Sequence, residues 1–164
     1  MVLFLHIRHF VCLSLFLIPY LVISAAEASP KGSDSYITFD HSGEISKLSL
    51  DDMKAQLSTE KIKTVTYWSK GEEVLFEGFL LKDVLALGGF EDAEEIGVVA
   101  LDDYTARINR KEILKTSAIL AFSQNGGALE DGFGPFWIVS LLSKDLTQGL
   151  QKGHWVWAVD LFMD

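Results

Sequence analysis

Apolar residues in this chain fall into short β-branched and aromatic runs separated by glycine, asparagine, aspartate and serine. Such runs fit a pleated, half-buried surface, so each predicts a strand bounded by turns. Tyr36–Phe39 is the first, closed by the turn His41-Ser42-Gly43, and Ile45–Leu48 can pair back on it. Ser49 with Asp52 three residues later resembles a capping box, and Leu50, Met53 and Leu57 share one stripe; a short amphipathic helix is predicted to Leu57. Thr64–Trp68 predicts the next strand. It is followed by a turn over Ser69–Glu73, and a partner strand, Val74–Phe76, that Gly78 should break.

Leu80, Leu81, Val84, Leu85 and Leu87 then adopt helical spacing, with Gly88-Gly89 as the stop. Glu91–Glu95 reads as a solvated acidic patch. Ile96–Leu101 is almost wholly apolar, as expected of a strand covered on both faces. Asp102-Asp103-Tyr104 turns the chain, Thr105–Asn109 returns, and Arg110–Lys115 suits a helical turn or two. Ala118–Phe122 is a further buried strand, followed by the turn residues Asn125-Gly126-Gly127 and a glycine-rich acidic loop, Glu130–Pro135. Phe136–Leu142 is again apolar, and Lys144–Gln151 predicts a short helix. In a last strand, Trp155–Met163, Trp157, Val159 and Leu161 face with Trp155, and His154 and Asp160 face the other way. These elements, about seven or eight strands with two or three short helices, predict an α+β domain with a mixed, barrel-like sheet core.

The N-terminus changes the picture of what folds. Met1–His9 carries Arg8, Phe10–Ile23 is apolar except for Ser14 and Pro19, and Ala26-Glu27-Ala28 offers a small-x-small cleavage site. That order predicts a secretory signal peptide over 1–28. An uncleaved anchor is the alternative, but the apolar run is about 14 residues where a bilayer needs roughly 20. A flexible leader over 29–35 and one domain over 36–164 follow. The chain is therefore expected to be exported, periplasmic in a Gram-negative cell, with no stable membrane insertion after cleavage. The net charge of −9 argues against nucleic acid as a partner and is otherwise explained by solubility.

The single cysteine, Cys12, lies within the apolar run and leaves with it. The domain then has no disulfide, no thiolate nucleophile and no thiolate metal ligand. Its histidines are His41 and His154, too few for a zinc site. Phosphate loops, dinucleotide fingerprints and nucleophile elbows are absent, and Glu130 and Asp131 would repel a phosphate from the glycine-rich loop. Asp102 and Asp103 suit either acid–base work or the capping of turn amides. Trp155 and Trp157 have strand spacing and read as core. Trp68 and Trp137, at strand ends, suit either core or a cleft wall. Trp68, Ser69 and Lys70 stand where the predicted strand hands over to a loop, a place where sites are often built.

Five segments together resemble the sulfite-oxidase-type molybdopterin-binding domain. Phe76–Leu85 looks like its F-x-G-x-x-L-x-D-x-L segment, and Asp103-Tyr104 falls where the family has an aspartate-centred turn. Leu120-Ala121-Phe122 with Asn125-Gly126 resembles its L-A-Y-x-x-N-G hairpin, Gly134–Val139 its G-P-L-x-L-V strand, and Trp155-Val156 its terminal tryptophan strand. The resemblance covers most of Leu48–Leu161 and implies that family's fold. In catalytic members the strand equivalent to Thr64–Trp68 leads to a cysteine that binds molybdenum; here the residues are Tyr67-Trp68-Ser69-Lys70. Where the family often has arginine in the G-P-L-R-L-V strand, this chain has Trp137, losing a fixed cation suited to anions.

The resemblance therefore implies a non-catalytic cleft around Trp68, Ser69, Lys70, Asp103, Tyr104 and Trp137 that holds no cofactor and binds a small-molecule ligand or an exported protein partner. Two alternatives remain open. One is a molybdopterin-dependent oxidoreductase with Ser69, or no protein ligand, on the metal. The other is an accessory subunit of an exported redox or sensor complex.

Overall fold

Two open sheets account for the strands of this protein, whose computed structural model describes residues 35–141 and 149–164. The predicted signal segment 1–28, residues 29–34 of the leader and most of the predicted helix at Lys144–Gln151 lie outside the described residues. Of that helix, 149–151 are described and are not helical.

The first sheet contains β1 (Tyr36–His41), β2 (Glu44–Ser49), β5 (Glu95–Ala100), β6 (Thr105–Asn109) and β10 (Val159–Met163), in the order β2-β1-β10-β5-β6. β1 and β10 run parallel, and its other pairs are antiparallel. The second sheet orders β3 (Thr59–Val65), β4 (Glu73–Leu80), β7 (Ile119–Gln124) and β8 (Gly127–Ala128), with β9 (Trp137–Val139) also on β7. Three short helices, α1 (Leu50–Gln56), α2 (Leu81–Leu87) and α3 (Arg110–Thr116), complete the described architecture. The α+β class holds, but the barrel-like closure does not: β2 and β6 are the free edges of one sheet, and β3 and β8 those of the other.

The apolar pattern decides most of this. β5, with Ile96, Val98 and Ala100 buried, lies between β10 and β6, and β7 lies between β4 and its partners β8 and β9, as their continuous apolar runs require. Ser49 caps α1: its hydroxyl accepts from the Asp52 amide at 3.0 Å, and the Asp52 carboxylate accepts from the Ser49 amide at 3.2 Å. One contiguous core joins both sheets, with Phe39 stacked on Phe162 at 5.8 Å and Leu81, Val84 and Leu85 of α2 buried against it.

Four elements differ from the sequence reading. The strand expected at Thr64–Trp68 is β3, running from Thr59 and stopping at Val65. There the Thr66 hydroxyl accepts from the Trp68 and Ser69 amides, at 3.2 and 2.9 Å, and pulls the chain out of the ladder. Its polar first half is an edge strand, with Lys61 paired to Glu77 and Lys63 to Glu73 across it. Gly78 does not break β4. It sits at an irregular register step where a Cβ would meet the Leu120 carbonyl oxygen and the Ala121 Cα, so it lets two backbones close together.

The run Phe136–Leu142 shortens to β9. The last strand begins only at Val159, after a 3-10 turn at Lys152–His154 and a left-handed Ala158 (φ 49°). A bulge between Val159 and Leu161 resets the alternation, so that Val159 and Phe162, rather than Val159 and Leu161, are fully buried.

Candidate functional site

All four tryptophans meet at one end of the second sheet, together with Tyr67, Phe76 and Phe133. The turn after β3 brings Tyr67 and Trp68, β9 brings Trp137, and the irregular segment before β10 brings Trp155 and Trp157. Three backbone bonds lash these strands' ends together: Ala158 N to Phe133 O, Val159 N to Phe136 O, and Ile138 N to Val156 O, at 2.8–3.0 Å. The rings then meet edge to face or stacked. Trp68 stands at 90° to Trp157 with centroids 5.0 Å apart, and Phe133 lies 4.5 Å over Trp137 at 15°. Pairs of this kind contribute about 0.5–1.5 kcal/mol each beyond area burial, so the cluster is a rigid body rather than a loose apolar patch.

Trp68 borders a cavity on each side. The first, about 300 Å³, is lined by Trp68, Tyr104, Trp155 and Trp157, with Asp102 and Lys152 as its charged groups. The Lys152 ammonium lies 5.9 Å from the Trp68 ring centroid and 6.0 Å from that of Tyr67, at the outer reach of cation–π attraction. The Tyr104 hydroxyl donates to the Gly153 carbonyl at 2.9 Å and ties the 3-10 turn to the β5–β6 connection. The Asp102 carboxylate accepts from the Tyr104 amide at 3.1 Å, which is turn capping, and leaves an oxygen for the cavity.

The second cavity, about 210 Å³, lies between the β3–β4 and β7–β8 turns and the loop before β9. Trp68, Phe133 and Trp137 border it with Glu72, Glu73, Glu130 and Ser69. Glu130 accepts from the Gln124 amide at 2.8 Å, and Glu73 pairs with Lys63 at 3.0 Å. Trp137 is 3% exposed, and its indole N–H has no acceptor. A buried donor in that state costs about 1–3 kcal/mol, a cost concentrated where packing serves something besides stability.

Of the six residues expected at the site, Trp68, Ser69, Tyr104 and Trp137 border one cavity or the other, and Lys70 and Asp103 border neither. Lys70 (φ 52°) and Asp103 (φ 65°) occupy left-handed turn positions that aim them at solvent. Ser69 borders the second cavity, but its hydroxyl accepts from the Thr66 amide at 2.9 Å and donates to the Thr66 carbonyl at 3.3 Å. Trp155, at 1% exposure, is core as expected, whereas Trp157 is half-buried and forms cavity wall.

The sequence reading missed Lys152, Trp157, Phe133, Glu72 and Glu130 as site residues. For Glu130 a signal existed, since its repulsion of phosphate already gave the sign of charge that this loop presents.

His41 and His154 lie far apart in use: each Nδ1 meets a carboxylate at 3.0 Å, Asp164 for His41 and Glu112 for His154. No group of three histidine, cysteine or acidic side chains converges on a possible metal position among the described residues. The Ser42 amide holds Asp164 below the ordinary aspartate range, and the Ser49 hydroxyl and amide do the same for Asp52. Neither carboxylate borders the two cavities. Compared with protein-family models and with characterised proteins, the chain matches neither a family nor a characterised sequence.

Proposed function

We propose that this chain is an exported, non-catalytic recognition domain of the sulfite-oxidase-type fold, binding a small molecule where the family binds its cofactor. The observation that carries this reading is the first cavity, in which tryptophan and tyrosine rings form a rigid wall with one ammonium and one carboxylate at its edge. A pocket of mainly aromatic surface with a few placed polar groups suits a flat, largely apolar ligand whose polar end meets Lys152 or Asp102.

The residues around Trp68 fit a molybdenum-pterin poorly. The strongly anionic pyrophosphate would meet Asp102 on one side and Glu72, Glu73 and Glu130 on the other, with Lys152 as the one cation lining these cavities among the described residues. Ser69 would have to give up the bond its hydroxyl donates to the Thr66 carbonyl before ligating a metal as an alkoxide.

Two measurements test the reading. Protein from a molybdenum-replete host should contain neither molybdenum nor pterin, and near-stoichiometric amounts of both would overturn the proposal. A thermal-shift screen with small aromatic metabolites should yield a ligand that raises the apparent melting temperature, because binding to the native state alone must stabilise it. Trp68→Ala should abolish that shift, and a response that survives this change would place the ligand elsewhere.

A further inference from the structure

We propose that the first cavity takes a free aromatic amino acid as a zwitterion, its ammonium against Asp102 and its carboxylate against Lys152. The inference rests on the reading of that cavity as an aromatic ligand pocket, and it names the class of ligand. Two groups of opposite sign line an otherwise largely apolar space of about 300 Å³. The fold brings their backbones together. The Tyr104 hydroxyl donates to the Gly153 carbonyl at 2.9 Å, which fastens the turn carrying Asp102 beside the 3-10 turn carrying Lys152.

Opposite charges brought so close could close into a salt bridge, and these do not. Among the described residues neither Asp102 nor Lys152 makes an ion pair. Each is drawn aside. Asp102 accepts from the Tyr104 amide at 3.1 Å, and the Lys152 ammonium lies 5.9 Å from the Trp68 ring centroid and 6.0 Å from that of Tyr67. A ligand with a single charge would satisfy one of the two groups and repel the other, and a neutral ligand would desolvate both without compensation. An α-amino acid carries both charges on one carbon and its ring on the neighbouring one, so the head group answers both side chains while the ring packs against Trp155 and Trp157. A peptide bond at either end removes one of the charges, so the free amino acid is the complementary form. The volume, at the small end of ligand pockets, suits one ring with its head group.

The test is calorimetric titration at neutral pH with L-phenylalanine and L-tryptophan, and with the analogues of each that lack the amine or the carboxylate. The same titrations are followed by the protein's indole N–H resonances in ¹H–¹⁵N spectra. One of the two amino acids should bind saturably and move the Trp68 and Trp157 signals, and each of its singly charged analogues should bind about tenfold more weakly. Asp102→Asn keeps an acceptor for the Tyr104 amide and removes the charge. In that variant the advantage of the amino acid over its amine-free analogue should disappear. Lys152→Gln should likewise remove its advantage over the carboxylate-free analogue. Lys70→Gln removes an exposed cation that borders neither cavity and should leave the affinity unchanged.

The proposal is overturned if neither amino acid binds saturably, if a singly charged analogue binds as tightly, or if the advantage survives in both variants. An analogue that binds where the amino acids do not would overturn the zwitterion and leave the aromatic pocket standing. Signals that move at Trp137 and not at Trp157 would put the ligand in the second cavity and overturn the pocket reading as well.

Discussion

The two cavities share Trp68 and differ in what surrounds it. On the Tyr104 side a lysine and an aspartate balance each other over a tryptophan-rich wall, and the aspartate is partly engaged in capping its own turn. On the Trp137 side Glu72, Glu73 and Glu130 line the space beside Ser69, Gln124 and Asn125, with Glu73 paired to Lys63 and Glu130 bonded to Gln124. One aromatic group thus borders two spaces of different charge, and most of the charged rim residues (Asp102, Lys152, Glu72, Glu130) come from turns and loops rather than from strand interiors. A rigid scaffold with exchangeable loop chemistry is how binding surfaces are commonly built.

Removing the scaffold both cavities share should have the largest effect. Gly78→Ala drives a Cβ into the backbone of Leu120 and Ala121, which cannot yield as a side chain tip would. The expected loss is about 3 kcal/mol in denaturant unfolding, with the ligand response of the first cavity lost as well. Trp68→Ala is expected to cost less, about 2 kcal/mol, because the ring is half-buried, and to merge the two spaces while the far sheet stays folded. If the first cavity's ligand response survived Trp68→Ala unchanged, the Trp68 ring would not be part of its binding wall.

Tyr104→Phe tests the first cavity alone. It removes the bond to the Gly153 carbonyl, and should cost about 1 kcal/mol or less at this exposed position in denaturant unfolding.

The smallest effect concerns carboxylates committed to structure rather than to a cavity. Asp52 and Asp164 have folded-state values below the ordinary 3.8. Their contribution is fully present above that value and is lost as pH falls through the lowered ones. An acid titration followed by circular dichroism should show part of the stability disappearing below about pH 4. Ser49→Ala, which frees Asp52, should be less stable at neutral pH and should lose less on acidification. Equal acid sensitivity in the two proteins would show that the capping box contributes nothing measurable.

Much of the sheet framework was legible because burial leaves its mark on apolar spacing: β5, β7 and α2 lie close to where their runs predict. The misreadings share one physical cause. The end of β3 is set by a threonine hydroxyl competing for backbone amides, the continuity of β4 by a close approach that only glycine permits, and the inward set of β10 by a bulge at Asp160. None of these alters hydrophobic periodicity.

The site was half legible for a similar reason. Trp68, Tyr104 and Trp137 are conspicuous by type. Lys152 and Glu72 are ordinary turn residues in sequence and become wall only when distant loops are folded beside the tryptophans. Lys70 is expected at the cleft from its place at a strand's end and Asp103 from the family's aspartate-centred turn; both are exposed at left-handed turn positions and border neither cavity.

β10 lies between β1 and β5, so the middle plank of its sheet is supplied by residues 159–163. Before those residues are free to join, β1–β2 and β5–β6 are separate two-stranded ribbons, each marginal in water. Assembly of that sheet must therefore wait for a pairing that spans the whole domain, a slow kind of closure. A polypeptide exported as proposed here would keep its two ribbons apart during passage and clasp them only on arrival.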